Sequence, residues 1–322
     1  MPVTPPPICH HLVLPFAACS AADWLPAMKA LPPAAFRNFN QLLQGMKPIH
    51  TDNGDERSLS PPHERVLARA LNLPMTDGLI PWAAWQLLKN GGTPGEGAWA
   101  LITPCHWAMG RDHATLTDPA ALGLQEQDSR ALLVAMQPYF ATEGITLHYA
   151  EPTRWLAEGE LFRMLPSASL DRVLGRNVEP WMPATRQIRL LQNEMQMLLY
   201  THAVNDARAA RKQAGINSFW ISGTGALPDT FLPQSQPEAT LAQDLAQAVF
   251  YDDWPLYTQA WSALDAGEGA RLLALQQGGD TVRLSLCGER NALSFESTHT
   301  GLWAKVRNLF GHQPFVGVLE QL

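Results

Sequence analysis

The sequence predicts an α/β protein with a mostly parallel central sheet flanked by helices. Short apolar runs at residues 11–16 (HLVLPF), 98–104 (AWALITP) and 281–286 (TVRLSL) have the length and composition of buried strands. Between them lie amphipathic stretches with helical spacing, such as 62–73 (PHERVLARALNL). Strands alternating with helices are the pattern of crossover-connected α/β folds.

In chain order, a proline-rich start leads into the first strand, and residues 22–43 carry helical runs punctuated by Pro32 and Pro33. Residues 50–60 (HTDNGDERSLS) read as a polar loop. Pro62, with His63 and Glu64, opens the next helix, because proline suits the first helical position. The tryptophan-rich 80–88 (IPWAAWQLL) reads as a helix packed on the core, with an exposed partner-binding patch as the alternative. After a glycine loop at 91–97, the strand at 98–104 delivers Cys105, His106 and Trp107, followed by Arg111, Asp112 and His113. A helix at 123–140, a strand at 145–149 (ITLHY) and Thr153-Arg154-Trp155 come next. Beyond Pro228, a loop leads to a helix near 239–250, an aromatic segment, the strand at 281–286 and a final helix at 303–310. This organisation predicts a core built from residues 1–115 and 186–322, with 116–185 as a smaller inserted, lid-like subdomain.

Composition excludes several classes. The net charge is −7 with 16% charged residues, and no Lys/Arg cluster exists to neutralise phosphates, so nucleic acid is not an expected partner. The densest basic spot, Arg208, Arg211 and Lys212, falls at a helix C-terminus, a normal place for cations. Cys9, Cys19, Cys105 and Cys287 lack metal or redox spacing and read as reduced thiols. No window approaches the ~18 apolar residues of a membrane span. Phe16-Ala17-Ala18-Cys19 lacks the basic segment that precedes a secretory cleavage site, so the expected compartment is the cytoplasm. No cofactor is expected.

The chemistry-bearing stretch is 186–228. It reads as one long helix, a break, a short strand at Phe219-Trp220-Ile221, and a turn at Gly223-Thr224-Gly225. Ile188, Leu191, Met195, Leu198 and His202 share one stripe, with Asn205 and Arg208 drifting to its edge. A forked guanidinium, further donors and nearby glycines suit a small anionic ligand. The alternative is that His202 is a hydrogen-bonded core histidine, Asn217 a backbone tie and Trp220 a core aromatic. Cys105 and His106 are adjacent, and strand neighbours point to opposite faces, which argues against a nucleophile and base built from that pair.

The residues His202, Val204, Asn205, Arg208, Gly215, Asn217, Trp220, Gly223, Gly225 and Pro228 follow the order of a segment in the archaeal-type, cofactor-independent phosphoglycerate mutases, which this stretch resembles. Over nearly its full length, through HHLVLPFA, PHERVLARAL, PCHWAMGRDH, RNVEPW, NEMQMLL, NSFWISGTG and LCGER, the chain also resembles the bacterial regulatory proteins of the RpfE type. The mutase resemblance implies an alkaline-phosphatase-like α/β core with an inserted lid, and a two-metal phosphoryl transfer through a serine.

The sequence departs from that implied chemistry where its groups should stand. The first strand ends in Leu14-Pro15-Phe16-Ala17 in place of an Asp-Gly pair. The serine loop is replaced by Pro61-Pro62-His63-Glu64, and the late strand ends in Cys287-Gly288-Glu289-Arg290 in place of Asp-His. The resemblance therefore implies a regulatory protein without metal site or nucleophile, binding a phosphorylated or carboxylated metabolite, or a protein partner. Its ligand-side residues would be His202, Asn205, Arg208, Asn217, Trp220 and Arg154. The alternatives are an active mutase whose metal is held by His106, Asp112 and His113, and a hydrolase using Cys105 or His63.

Overall fold

A computed structural model describes residues 9–232, 239–298 and 314–322. Its strands are β1 (Cys9–Leu14), β2 (Met46–Asn53), β3 (Trp99–Cys105), β4 (Trp107–Met109), β5 (Ala114–Leu116), β6 (Thr146–Glu151), β7 (Arg154–Glu158), β8 (Ser218–Gly225), β9 (Thr240–Leu241), β10 (Thr281–Cys287) and β11 (Asn291–Ser297). The helices are α1 (Trp24–Ala30), α2 (Arg37–Gln44), α3 (Pro62–Ala70), α4 (Trp82–Lys89), α5 (Glu126–Thr142), α6 (Arg186–Tyr200), α7 (Ala203–Ala210), α8 (Asp244–Phe250), α9 (Trp254–Leu264) and α10 (Ala270–Gly278), followed by Phe315–Leu319. The helix expected at 303–310 lies outside the described residues. Among the described residues, no helix is long and apolar enough to cross a membrane.

The chain divides into two compact units, Met1–Arg57 with Pro61–Leu71 and Pro233–Leu322, and Ser58–Ser60 with Asn72–Leu232. The expected breaks at 115/116 and 185/186 both fall inside the second unit.

The fold class is α/β, but the sheets are not mostly parallel. In the first unit the strand order is β2-β11-β10-β1-β9, and only β1 with β10 and β1 with β9 run parallel. In the second unit the order is β6-β7-β3-β8, and every pairing is antiparallel. Connection length explains the difference. A parallel pair needs a crossover of about a dozen residues or more. Residues 288–290 join β10 to β11, and 152–153 join β6 to β7, so both pairs close as hairpins. Buried apolar runs such as AWALITP show that a strand is covered, not which way its neighbours run.

In the first unit, alternation sorts the faces. Leu12, Leu14, Val282, Leu284 and Leu286 form one core with Trp24, Met28, Phe39, Tyr257, Trp261 and Phe315. Val13, Cys287 and Ala292 cluster separately with Val66 of α3. Beside Val13 runs a buried polar row, in which His11 Nε2 lies 2.9 Å from Ser285 Oγ and Ser285 Oγ lies 2.7 Å from Ser294 Oγ. Burial, reinforced by the Arg283 charge, pushes the His11 imidazole down to about 3. The neutral ring is thus favoured in the folded state. Its contribution is complete above the ordinary value of 6.5 and is lost as pH falls from there toward 3. Each pH unit in that window costs up to about 1.4 kcal/mol. Urea midpoints measured from pH 7 to pH 4 should fall for the native chain and fall less steeply for His11→Gln.

In the second unit, Ala100, Ile102, Trp155, Phe219 and Ile221 of the sheet pack against Leu132, Met136 and Phe140 of α5 and Ile188, Leu191, Met195 and Leu199 of α6. The spacings of three and four residues on both helices are those of one buried stripe.

Candidate functional site

The helix expected to run from Arg186 past Arg208 is two helices. α6 stops at Tyr200, and His202 is the N-cap of α7, its Nδ1 accepting the Val204 N–H at 3.2 Å. An N-cap satisfies one of the four orphan amides of a helix start, and here it fixes the imidazole to its own backbone. Asn205 is fully engaged with backbone. Its Nδ2 donates to Leu199 O at 2.8 Å and Ile216 O at 2.7 Å, and its Oδ1 accepts the Ile216 N–H at 2.7 Å. Arg208 is 0% exposed, and its Nε and Nη2 donate to Ala214 O (2.8 Å) and Leu122 O (2.6 Å). Burial pushes this guanidinium below its ordinary pKa.

Asn217 clamps the β3–β4 junction, with Oδ1 accepting the Trp107 N–H at 2.7 Å and Nδ2 donating to Trp107 O at 3.0 Å. Trp220 is buried, and its indole donates to Ala168 O at 3.0 Å. Arg154 pairs with Glu151 at 3.1 Å on the surface. Five of the six nominated residues therefore hold backbone in place. His202, Asn205 and Arg208 gather on α7 and its N-cap, Asn217 and Trp220 sit on and beside β8, and Arg154 starts β7.

The glycine motif has an equally local cause. β8 continues through Gly223 and Gly225, at φ 60° and 136°, and the start of α4 lies directly on them. A Cβ on Gly223 would stand 2.9 Å from Trp82 Cβ, and one on Gly225 would stand 3.1 Å from Leu79 O. Glycine is the residue that tolerates both the backbone angle and the close approach. Gly223→Ala should cost about 2 kcal/mol or more, read as a lowered urea midpoint.

The alternative metal set does not assemble: His106 Nδ1 is 2.7 Å from Gly215 O, and Asp112 and His113 are exposed. Among the described residues, no group of three His, Cys, Asp or Glu side chains could hold a metal ion. Cys105 is fully buried, and that burial pushes its thiol well above the ordinary range, so the thiolate that a nucleophile requires is suppressed.

The three departures noted in the sequence meet in the first unit. β1, β10 and β2 all end at one edge of the sheet, the carboxyl edge where α/β folds place ligands. Phe16, just past β1, has φ 53°, a strained value for a bulky residue. Its ring lies 6.1 Å from the His63 ring at the start of α3 and 5.0 Å from Phe250. The turn is tied down on both sides. Ala17 N–H donates to Cys287 O at 2.8 Å, and the Tyr257 hydroxyl lies 2.8 Å and 2.9 Å from the carbonyl oxygens of Phe16 and Ala17. Burial pushes the Cys287 thiol well up.

Beside this plug, Asp52 at the end of β2 is gripped by Arg65 of α3 (Nε to Oδ1, 2.6 Å), with Arg69 at 3.6 Å from its other oxygen. Arg65 Nη2 also donates to Arg290 O at 2.8 Å. A cleft of about 360 Å³ opens at the same edge, lined in part by Ser20, Trp24, Glu289 and Arg290. There Ser20 N–H and Oγ–H both donate to Glu289, at 3.0 Å and 2.5 Å. Sequence reading missed Asp52, Arg65 and Tyr257. Residues 46–49 of β2 carry Lys47 and Pro48 in place of an apolar run, so the strand that places Asp52 gave no strand signal.

No protein family and no curated protein matches the sequence. Among solved structures, the chain is similar to a cofactor-independent phosphoglycerate mutase from Thermoplasma acidophilum DSM 1728, with 13% identity, 91% of each chain covered and a TM-score of 0.34. It is also similar to the PH0037 protein from Pyrococcus horikoshii, with 10% identity, 89% of this chain and 87% of that chain covered, and a TM-score of 0.42. Both TM-scores lie below 0.5, so these likenesses carry no argument about chemistry.

Proposed function

We propose that this chain acts by binding rather than by turnover, as a regulatory, non-catalytic relative of the cofactor-independent phosphoglycerate mutases. One observation carries the reading. The end of β1, the start of α3 and the end of β10, where the resemblance calls for metal carboxylates, a serine and an Asp-His pair, converge on Phe16, His63 and Cys287. A carboxylate at the same sheet edge, Asp52, is buried and held by Arg65. A carboxylate in a close guanidinium pair has its negative charge already compensated, and an aromatic ring offers no ligand to a hard cation. The cleft beside the plug is the proposed recognition site. Arg290, half-exposed and held among the described residues only by a long 3.4 Å contact to the exposed Glu56, is the group that exchanges that partner for a phosphate or carboxylate.

The test is an assay of 2- and 3-phosphoglycerate interconversion with manganese or zinc present. The expected rate is that of the buffer blank. Metal-dependent turnover above the blank would refute the proposal. In a parallel thermal-shift series without metal, 3-phosphoglycerate should raise Tm for the native chain and not for Arg290→Ala, since a ligand of the native state stabilises it by mass action.

A further inference from the structure

We infer that the second unit carries a separate binding site for an organic ammonium with an apolar body, in the cleft at the end of β8. This inference does not depend on the reading of the first unit. The cleft has a volume of about 580 Å³, within the roughly 300–1,000 Å³ typical of small-molecule sites. Its apolar wall includes Pro74, Leu79 and Leu227, and its polar rim carries Glu96, Arg163 and Asp229.

Charge selects the ligand. Arg163 is already occupied: its Nε and Nη2 form a fork on Glu160 at 2.5 Å and 2.9 Å, and Nη2 also donates to Glu96 O at 2.8 Å. That fork holds the Glu160 carboxyl below its usual range and raises Arg163. The Glu96 and Asp229 carboxylates both lie within the field of Arg163. Among the described residues, neither takes a hydrogen bond or an ion pair of its own. With Arg163 set against Glu160, the rim therefore retains two carboxylates. An anion entering the cleft meets repulsion, with no free cation among the described lining residues to offset it, and a neutral apolar molecule gains only burial. An ammonium carried on an apolar body gains both contributions. The segment Gly225–Pro228, which the glycine motif positions over α4, forms one side of this cleft.

Three probes of one shape separate these contributions: 2-phenylethylammonium, 2-phenylethanol and 3-phenylpropanoate, titrated into the full chain by amide NMR. The ammonium should bind at least tenfold tighter than the alcohol and the carboxylate weakest, with shifts centred on residues 225–229. Glu96→Gln/Asp229→Asn, at two exposed positions, should leave Tm unchanged and bring the ammonium to the affinity of the alcohol. Equal affinity of ammonium and alcohol would overturn the inference. So would an unaffected double variant, shifts centred elsewhere, or no binding of any probe.

Discussion

Replacing Asp52 with alanine should destabilise the folded chain by about 3–5 kcal/mol, because it removes the buried carboxylate that the enclosed Arg65 guanidinium grips. Both side chains are nearly enclosed, at 10% and 7% exposure, so solvent screens the pair weakly. Arg65 retains its bond to Arg290 O, a neutral acceptor that does not replace the lost carboxylate charge. The double variant Asp52→Ala/Arg65→Met should recover most of the loss, since it removes both members of the buried charge pair and keeps an aliphatic side chain in the place of the Arg65 stem. Urea denaturation of the two single variants and the double variant closes the cycle. A single-variant loss under 1 kcal/mol, or a double variant no better than Asp52→Ala, would show that the pair is solvated in a way the geometry does not allow.

Arg208→Ala comes second in size. The buried Leu122 O and the part-buried Ala214 O lose their donor, and the space of a fully buried side chain empties. Each unsatisfied carbonyl costs about 1–3 kcal/mol, so the total loss should be about 3–4 kcal/mol. The same variant distinguishes the two roles assigned to this residue. A fold-holding arginine lowers the unfolding midpoint whether or not ligand is present. An anion-binding arginine leaves the midpoint of the free chain in place and abolishes only a ligand-induced rise.

The amphipathic helices were legible because their signal is local. Leu132, Met136 and Phe140, or Ile188, Leu191 and Met195, repeat at helical spacing, and the stripe they form is the one that is buried. The main strands were legible for the same reason. The break between α6 and α7 was not, because Leu198 and His202 fit the stripe equally well in a continuous helix. What ends α6 is the use of His202 as a cap and of Asn205 as a bridge to Ile216. The candidate site was half legible. Phe16, His63 and Cys287 stood out as departures from a resemblance, whereas Tyr257, Asp52 and Arg65 carried no signal until distant elements brought them together. The anion-binding assignment of His202, Asn205 and Arg208 rested on residue type, and residue type does not reveal whether a donor faces a ligand or a backbone carbonyl.

The sequence by itself determined that this is an α/β chain, where most of its helices and buried strands lie, and that glycine stands at 223 and 225. Each of these follows from the period and size of side chains within one or two turns of the position concerned. Only the tertiary structure decided that one sheet is mixed and the other antiparallel. It also decided that five nominated ligand residues hold backbone, and that the carboxyl edge of the first sheet is closed by an aromatic ring and a buried ion pair. Those outcomes depend on pairings such as Phe16 with His63 and Arg65 with Arg290 O, between groups far apart along the chain, and no local pattern encodes which distant group arrives.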